Sequence, residues 1–333
     1  MSRWSNLALL WLVPLAALTG FVAFVVGDAG ALPAALVHGA SALAVVALVP
    51  WKSTVVRRGL ARARPGRSGS VVLGVVVLLA LATGILHVLG VLASDQPVTV
   101  LQVHVGAGVV AAAMTLAHAR DRRVRARRSD LSRRTLMRAG ILALAGTSAA
   151  GAVTVAGAAL ASAGTRRVTG SFSLTSGDVD AIPATSWLLD TPPGLDHSSW
   201  RLTVAARDAV RSWSLDGLGS DGLLDDRVSA VLDCTGGWWT RQTWVGARLS
   251  HLLPPGTTGT VLVTSATGYS RRLPLTDDLL LATSLGGEPL RAGHGAPARL
   301  VVPGRRGHHW VKWVVRIEVV TGPWWLEPPL PLR

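Results

Sequence analysis

Five runs of about 20 apolar residues, each long enough to cross a bilayer as a helix, occupy the first half of the chain. They extend roughly over Leu7–Val26, Ala31–Pro50, Val71–Ser94, Val98–His118 and Ala139–Ala163. From Arg201 onward the period changes. RLTVAA, RVSAVLD, TVLVTSATG, ARLVVPG and VKWVVRIEVV alternate or run β-branched between Gly, Pro and Asp, and so predict strands. The pattern predicts an α+β chain in three parts: a four-helix transmembrane domain over 1–120, a basic loop with a fifth span over 121–164, and a mainly β domain over 165–333. The first run is too long, and too closely followed by another span, to be a cleaved signal peptide.

Composition agrees, since 49% of the 333 residues are hydrophobic and 16% charged. The net charge of +14 divides unevenly: residues 166–333 hold 17 basic and 15 acidic side chains, while the first 165 hold 16 and 4. The excess sits in two clusters between apolar runs, Lys52–Arg67 and Arg120–Arg138. Cytoplasmic loops have this charge under the positive-inside rule, so nucleic acid is not needed as a partner. With both clusters inside, the N-terminus is cytoplasmic, the fifth span runs outward, and everything after Thr165 is extracytoplasmic.

The stretch SRRTLMRAG, Ser132–Gly140, resembles the twin-arginine export signal, and a moderately apolar run follows it. This implies the export machinery for folded proteins as a partner. Alternatively, Arg133 and Arg134 are only a positive-inside anchor. The run ends in LASAGT, so cleavage there is conceivable.

The single cysteine, Cys234, excludes an internal disulfide framework and a multi-cysteine zinc site. It lies in AVLDCTGGWW, at a strand end before a Gly-Gly turn. A lone cysteine is by default a small buried hydrophobe, whereas a thiolate held at a bend is a soft metal ligand.

Several segments occur in order: LDCTGGW, WVGARLSHLL, SATGYSRRLPL, LGGEPL and HGAPARLVVPGRRGHHWVKWVVRIEV. From about Trp187 to Glu318 the chain thereby resembles the molybdopterin-binding domain of the sulfite oxidase family, in the branch that includes bacterial periplasmic methionine sulfoxide reductases. The resemblance implies that Cys234 ligates molybdenum, beside the dithiolene of one molybdopterin and oxo or water. It implies pterin contacts from Ser265, His294, Arg299, Trp310, Val311 and Lys312. Where the family has Asn-His in its amino-terminal pterin segment, SWLLDTPP offers Asp190 and Thr191. Sulfite oxidases carry oxyanion-holding arginines after the cysteine and before the VKW stretch; here Trp238, Trp239 and His309 stand at those places. Sulfite is therefore disfavoured, an S-oxide or N-oxide is favoured, and His308 and His309 are candidate proton donors. The family's immunoglobulin-like dimerisation domain has no counterpart before the end at PWWLEPPLPLR, so dimerisation by that route is not expected.

Of nine histidines, four lie in the apolar runs, where ionisable side chains are functional candidates. His38, His87 and His104 fall six or seven residues from the outer ends of their spans, about 9–10 Å deep at 1.5 Å per residue. Three imidazoles at one depth are enough for a bis-histidine haem b. By analogy with membrane b-type cytochromes the pair is His38 with His104, His87 being the substitute, and His118 lies about 21 Å deeper. The alternative is that these side chains only hydrogen-bond between helices. Together the residues lead to a membrane-anchored molybdenum oxidoreductase exchanging electrons with quinone or another membrane carrier. Two competing expectations are an oxidase of a small reduced substrate and a non-enzymatic membrane module with a binding surface.

Overall fold

The computed structural model describes residues 2–50, 53, 67–90, 98–121, 127, 130, 132–160, 165–186, 190–206 and 209–329. Most of the cluster Lys52–Arg67, part of the cluster Arg120–Arg138, residues 161–164 of LASAGT, and Trp187–Leu189 lie outside the described residues. The chain divides into two compact units, Met1–Gly170 and Ser171–Arg333.

Among the described residues the first unit contains five long helices: α1 (Ser2–Val25), α2 (Leu32–Ala47), α3 (Arg67–Leu89), α4 (Val100–Asp121) and α5 (Arg133–Leu160). All five are long and apolar enough to cross a membrane. Large apolar side chains such as Trp11, Leu78, Ile141 and Val155 point outward, as suits a helix solvated by lipid rather than water. α1 packs with α2 and α3 with α4, while α5 lies against α2 and α3. A Cβ on Gly146 would collide with the carbonyl oxygen of Ala40, and one on Gly157 with that of Val88. α5 therefore makes the close helix approach that only small residues allow.

α5 begins six residues before its apolar run. Ser132 caps it, its carbonyl accepting from the N–H of Thr135 at 2.9 Å and of Leu136 at 3.1 Å. Arg133 and Arg134 thus occupy the first helical turn, where the macrodipole disfavours positive charge. Their presence there is not explained by helix stability.

The second unit is built on two sheets. One contains β1 (Phe172–Ser173), β4 (Asp226–Asp233), β5 (Trp238–Arg248), β8 (Leu280–Leu285), β9 (Glu288–Pro289) and β10 (Arg299–Val301). The other runs in the order β3 (Ala209–Trp213), β2 (Leu202–Ala206), β11 (Val314–Val320), β6 (Thr260–Ser265), β7 (Ser270–Pro274). Two short helices, α6 (Leu215–Ser220) and α7 (Leu249–Leu252), complete it. Leu202, Val204, Val261, Val263, Leu281, Leu300 and Ile317 are buried in its core.

The strand expected from Val311 begins only at Val314. Trp313 has φ +51°, a left-handed conformation uncommon for a bulky residue, and this breaks the strand just after Lys312. The β4–β5 turn and the segment between β10 and β11 carry most of the candidate residues.

Candidate active site

The β4–β5 hairpin closes through Cys234, Thr235, Gly236 and Gly237. The Gly237 N–H donates to the Cys234 carbonyl at 3.1 Å, and the Cys234 N–H to that of Trp238 at 2.8 Å. Gly237 has φ +95°, which glycine adopts without steric cost. Cys234 is 9% exposed, so it is buried as a hydrophobe would be. Its Sγ nevertheless has polar neighbours. The Gly236 N–H donates to it at 3.3 Å, and the Thr185 hydroxyl lies 3.2 Å away. A sulfur that only fills core volume needs neither.

Behind the cysteine, Asp233 and Arg306 form an ion pair at 3.2 Å with side chains 3% and 0% exposed. The Ser171 hydroxyl donates to Asp233 at 2.7 Å, and Arg306 Nη2 donates to the Cys234 carbonyl at 3.1 Å. Breaking a buried pair of this kind costs about 3–5 kcal/mol, because one charge is left unpaired. The pair therefore clamps the cysteine turn onto the Arg306–His309 turn.

His294, Arg299 and Lys312 converge on Gly295. A Cβ there would meet Arg299 Cβ at 3.0 Å and Lys312 Cβ at 3.1 Å, and its φ is +108°. His294 Nε2 lies 3.0 Å from the Ile182 carbonyl. A carbonyl can only accept, so Nε2 carries the proton and Nδ1 of the neutral ring is a bare acceptor. That Nδ1 is buried without a partner among the described residues, and so is the Nε donor of Arg299. Arg299 lies over the rings of Trp244 at 5.0 Å and Trp310 at 5.5 Å, with Nη1 on the His294 carbonyl at 3.0 Å. Burial lowers it to about 10, opposed by nearby Cys234. Lys312 Nζ donates to the carbonyls of Thr185, at 2.8 Å, and Gly293. An unmatched buried acceptor on His294, beside an unmatched Nε of Arg299 and the Lys312 ammonium, fits a cofactor that combines heterocyclic N–H groups with an anionic phosphate.

Burial, with Arg299 next in weight, lowers the Lys312 ammonium from 10.5 to about 7. Between those values the unfolded chain keeps a proton that the folded chain has lost, so stability rises with pH. The urea midpoint of cofactor-free protein, followed by tryptophan fluorescence, is expected to climb between about pH 7 and pH 10. Lys312→Met removes most of that slope; an unchanged slope would place the titration elsewhere.

The other candidates are distributed as follows. Val311 and Trp310 are buried. Ser265 is buried, its hydroxyl 3.0 Å from that of Thr267. Thr267 donates to Asp190 at 3.2 Å, and Thr191 is exposed. The rings of His308 and His309 lie 4.2 Å apart. Burial first, then Arg271 and Arg306, lowers His308 to about 3. Burial and His308 push His309 down as well. Both shifts favour the neutral imidazole over the imidazolium. In the first unit His38 and His104 meet with ring centroids 5.8 Å apart and planes at 75°. His87 instead bonds through Nε2 to the Gly170 carbonyl at 2.9 Å.

Residues 189–325 match the family described as the oxidoreductase molybdopterin binding domain. This stretch is a molybdopterin-binding domain of the sulfite oxidase type. Human mitochondrial sulfite oxidase is 28% identical over 171 residues, covering 38% of this chain and 30% of that protein. A nitrate reductase of Mycosarcoma maydis is 50% identical over 56 residues, 16% of this chain and 6% of that one. The sulfane dehydrogenase SoxCD from Paracoccus pantotrophus superposes with a TM-score of 0.35 at 25% identity, over 42% of this chain and 41% of that one. The chain spans about 30% of the length of the human sulfite oxidase it matches.

Within this molybdopterin-binding domain the structure adds two residues that pattern reasoning missed. Thr185 supplies a hydroxyl to Cys234 and a carbonyl to Lys312, yet nothing marks it in the irregular segment before β2. Arg271 was detectable. In YSRRLPL the buried positions alternate as Tyr269, Arg271 and Leu273, which puts a cation on the core-facing side of β7. Its side chain is 1% exposed, 3.6 Å from Glu327 and 3.5 Å from His309 Nδ1, with Nε unpartnered among the described residues.

Proposed function

We propose that this protein is a membrane-anchored molybdopterin-dependent oxidoreductase. In this proposal it exchanges electrons with the quinone pool and reduces an S-oxide or N-oxide by oxygen-atom transfer, with residues 165–333 outside the cytoplasmic membrane. The observation that carries the proposal is the convergence of Cys234, His294, Arg299 and Lys312 on one buried, incompletely hydrogen-bonded region. The bound groups supply two-electron oxygen-atom exchange at molybdenum and one-electron steps at a haem. The protein's own contribution is position and electrostatics. Cys234 holds the metal, oriented by Gly236 and Thr185; His294 Nδ1 accepts from the cofactor; Arg299 and Lys312 neutralise its charge. His38 and His104 are the proposed haem ligands.

Trp238, Trp239 and His309, at the places of the oxyanion-holding arginines, support a neutral oxide as substrate. Arg271 beside His309 favours a second reading, oxidation of a small anion such as sulfite, with electrons flowing inward. A non-enzymatic membrane module is disfavoured, because a binding surface has no use for buried, unpaired polar groups beside a cysteine.

Elemental analysis of detergent-purified protein tests the proposal. One molybdenum and one haem iron per chain are expected, with turnover of methionine sulfoxide exceeding that of sulfite. Protein without molybdenum, from a molybdenum-replete host, would sink both enzymatic readings. Faster turnover of sulfite would favour the second.

A further inference from the structure

The α1–α2 and α3–α4 hairpins share a spaced motif. Ala16-Ala17-Leu18-Thr19-Gly20 precedes Val37-His38, and Ala80-Leu81-Ala82-Thr83-Gly84 precedes Val103-His104, so both read A-x-x-T-G followed by V-H. The structure repeats the correspondence atom by atom. His38 Nδ1 lies 2.8 Å from the Ala16 carbonyl, and His104 Nδ1 lies 2.8 Å from that of Ala80. Thr19 bonds back to the carbonyls of Leu15 at 2.6 Å and Ala16 at 3.3 Å, and Thr83 to those of Leu79 at 2.6 Å and Ala80 at 3.2 Å. Such back-bonding often bends a helix, and in both hairpins it reaches the carbonyl that meets the imidazole.

The glycines complete the pattern. A Cβ on Gly20 would lie 2.8 Å from both Cε1 and Nδ1 of His38. On Gly84 it would lie 2.9 Å from Cε1 and 3.0 Å from Nδ1 of His104. Each imidazole therefore rests directly on the backbone of the preceding helix.

The tautomers follow. A carbonyl only accepts, so each neutral ring carries its proton on Nδ1 and its lone pair on Nε2. Neither Nε2 has a hydrogen-bond partner among the described residues, so two bare acceptors belong to rings centred 5.8 Å apart. With both ring protons held by those carbonyls, the two neutral rings do not hydrogen-bond to each other. A metal between them fits: bonds of roughly 2 Å plus about 1 Å from each nitrogen to its ring centre give about 6 Å.

We infer that the two hairpins are copies of one ligand-presenting unit, in which Ala-x-x-Thr-Gly of the first helix is the positioning element for the histidine of the second. Gly20 with the Ala16 carbonyl sets His38, and Gly84 with the Ala80 carbonyl sets His104. The inference rests on the haem reading above and narrows it to one pair, leaving His87 outside. A backbone acceptor on Nδ1–H fixes a ligating imidazole's orientation and raises its basicity, and losing such a partner typically lowers metal affinity about 10- to 100-fold.

The test uses full-length protein purified in detergent from haem-replete cells. Gly20→Ala and Gly84→Ala each push an imidazole off its carbonyl. Since alanine is the better helix former by about 1 kcal/mol, a loss in these variants is not helix destabilisation. Both are expected to retain haem about 10- to 100-fold less tightly and to shift the midpoint potential of what remains upward. Gly74→Ala, where a Cβ meets nothing within 4 Å, is the control and keeps the wild-type spectrum. Helical circular dichroism and a single elution peak in detergent report whether the Gly20 and Gly84 variants assemble. Wild-type spectra and retention in both would overturn the positioning role while leaving the haem reading intact. Absence of haem from the wild type would overturn both.

Discussion

Cys234→Ser is expected to reduce turnover to background and to strip molybdenum from the purified protein, while the five helices still insert. Serine preserves size and the hydrogen-bonding surroundings, so the turn between β4 and β5 closes as before. What it removes is the soft donor that a thiolate offers a metal, and no second cysteine exists to replace it. The Asp233–Arg306 clamp, with side chains 3% and 0% exposed, lies behind the turn and is untouched. Unfolding of the domain is therefore not the expected cause of the loss. Metal analysis and activity on the same preparation check this. A variant with undiminished molybdenum and turnover would remove Cys234 from the site.

The second large effect is expected from Arg133→Lys with Arg134→Lys. Both positions keep their charge, so the fifth span keeps the topological signal that basic loops provide. The helix also keeps its cap, because Ser132 is unchanged. Two cations in the first turn of α5 oppose its macrodipole, and this points to a purpose other than folding. If that purpose is recognition by the folded-protein export route, the double variant strands the domain after Thr165 in the cytoplasm, protected from protease added outside. The first four helices still insert, since none of them must fold around a cofactor beforehand. A domain that still reaches the outside loaded with molybdenum would reduce the pair to a topological anchor.

Much of this architecture is legible in the amino-acid order alone. Five apolar runs specify five helices long and apolar enough to cross a membrane, since an uninterrupted apolar run of that length is legible without knowing its neighbours. β-branched alternation specifies strands such as β2 and β6, because side chains on a strand alternate between two faces. The Cys-Thr-Gly-Gly turn is visible because only glycine takes φ near +95° without strain. Arg271 was within reach by the same alternation. Contacts between distant segments are another matter. Thr185 reaches Cys234 across 49 residues and Arg306 reaches Asp233 across 73, and neither partner has a local pattern that marks it. The histidines show the division most plainly. Depth counting places three imidazoles at one level, which is a property of each helix taken alone. Helix packing selects two of them, because Gly20 and Gly84 let His38 and His104 rest on neighbouring backbones while His87 turns to the Gly170 carbonyl. A spacing along one helix cannot encode which helices meet, or at what rotation; the close packing of small residues decides both.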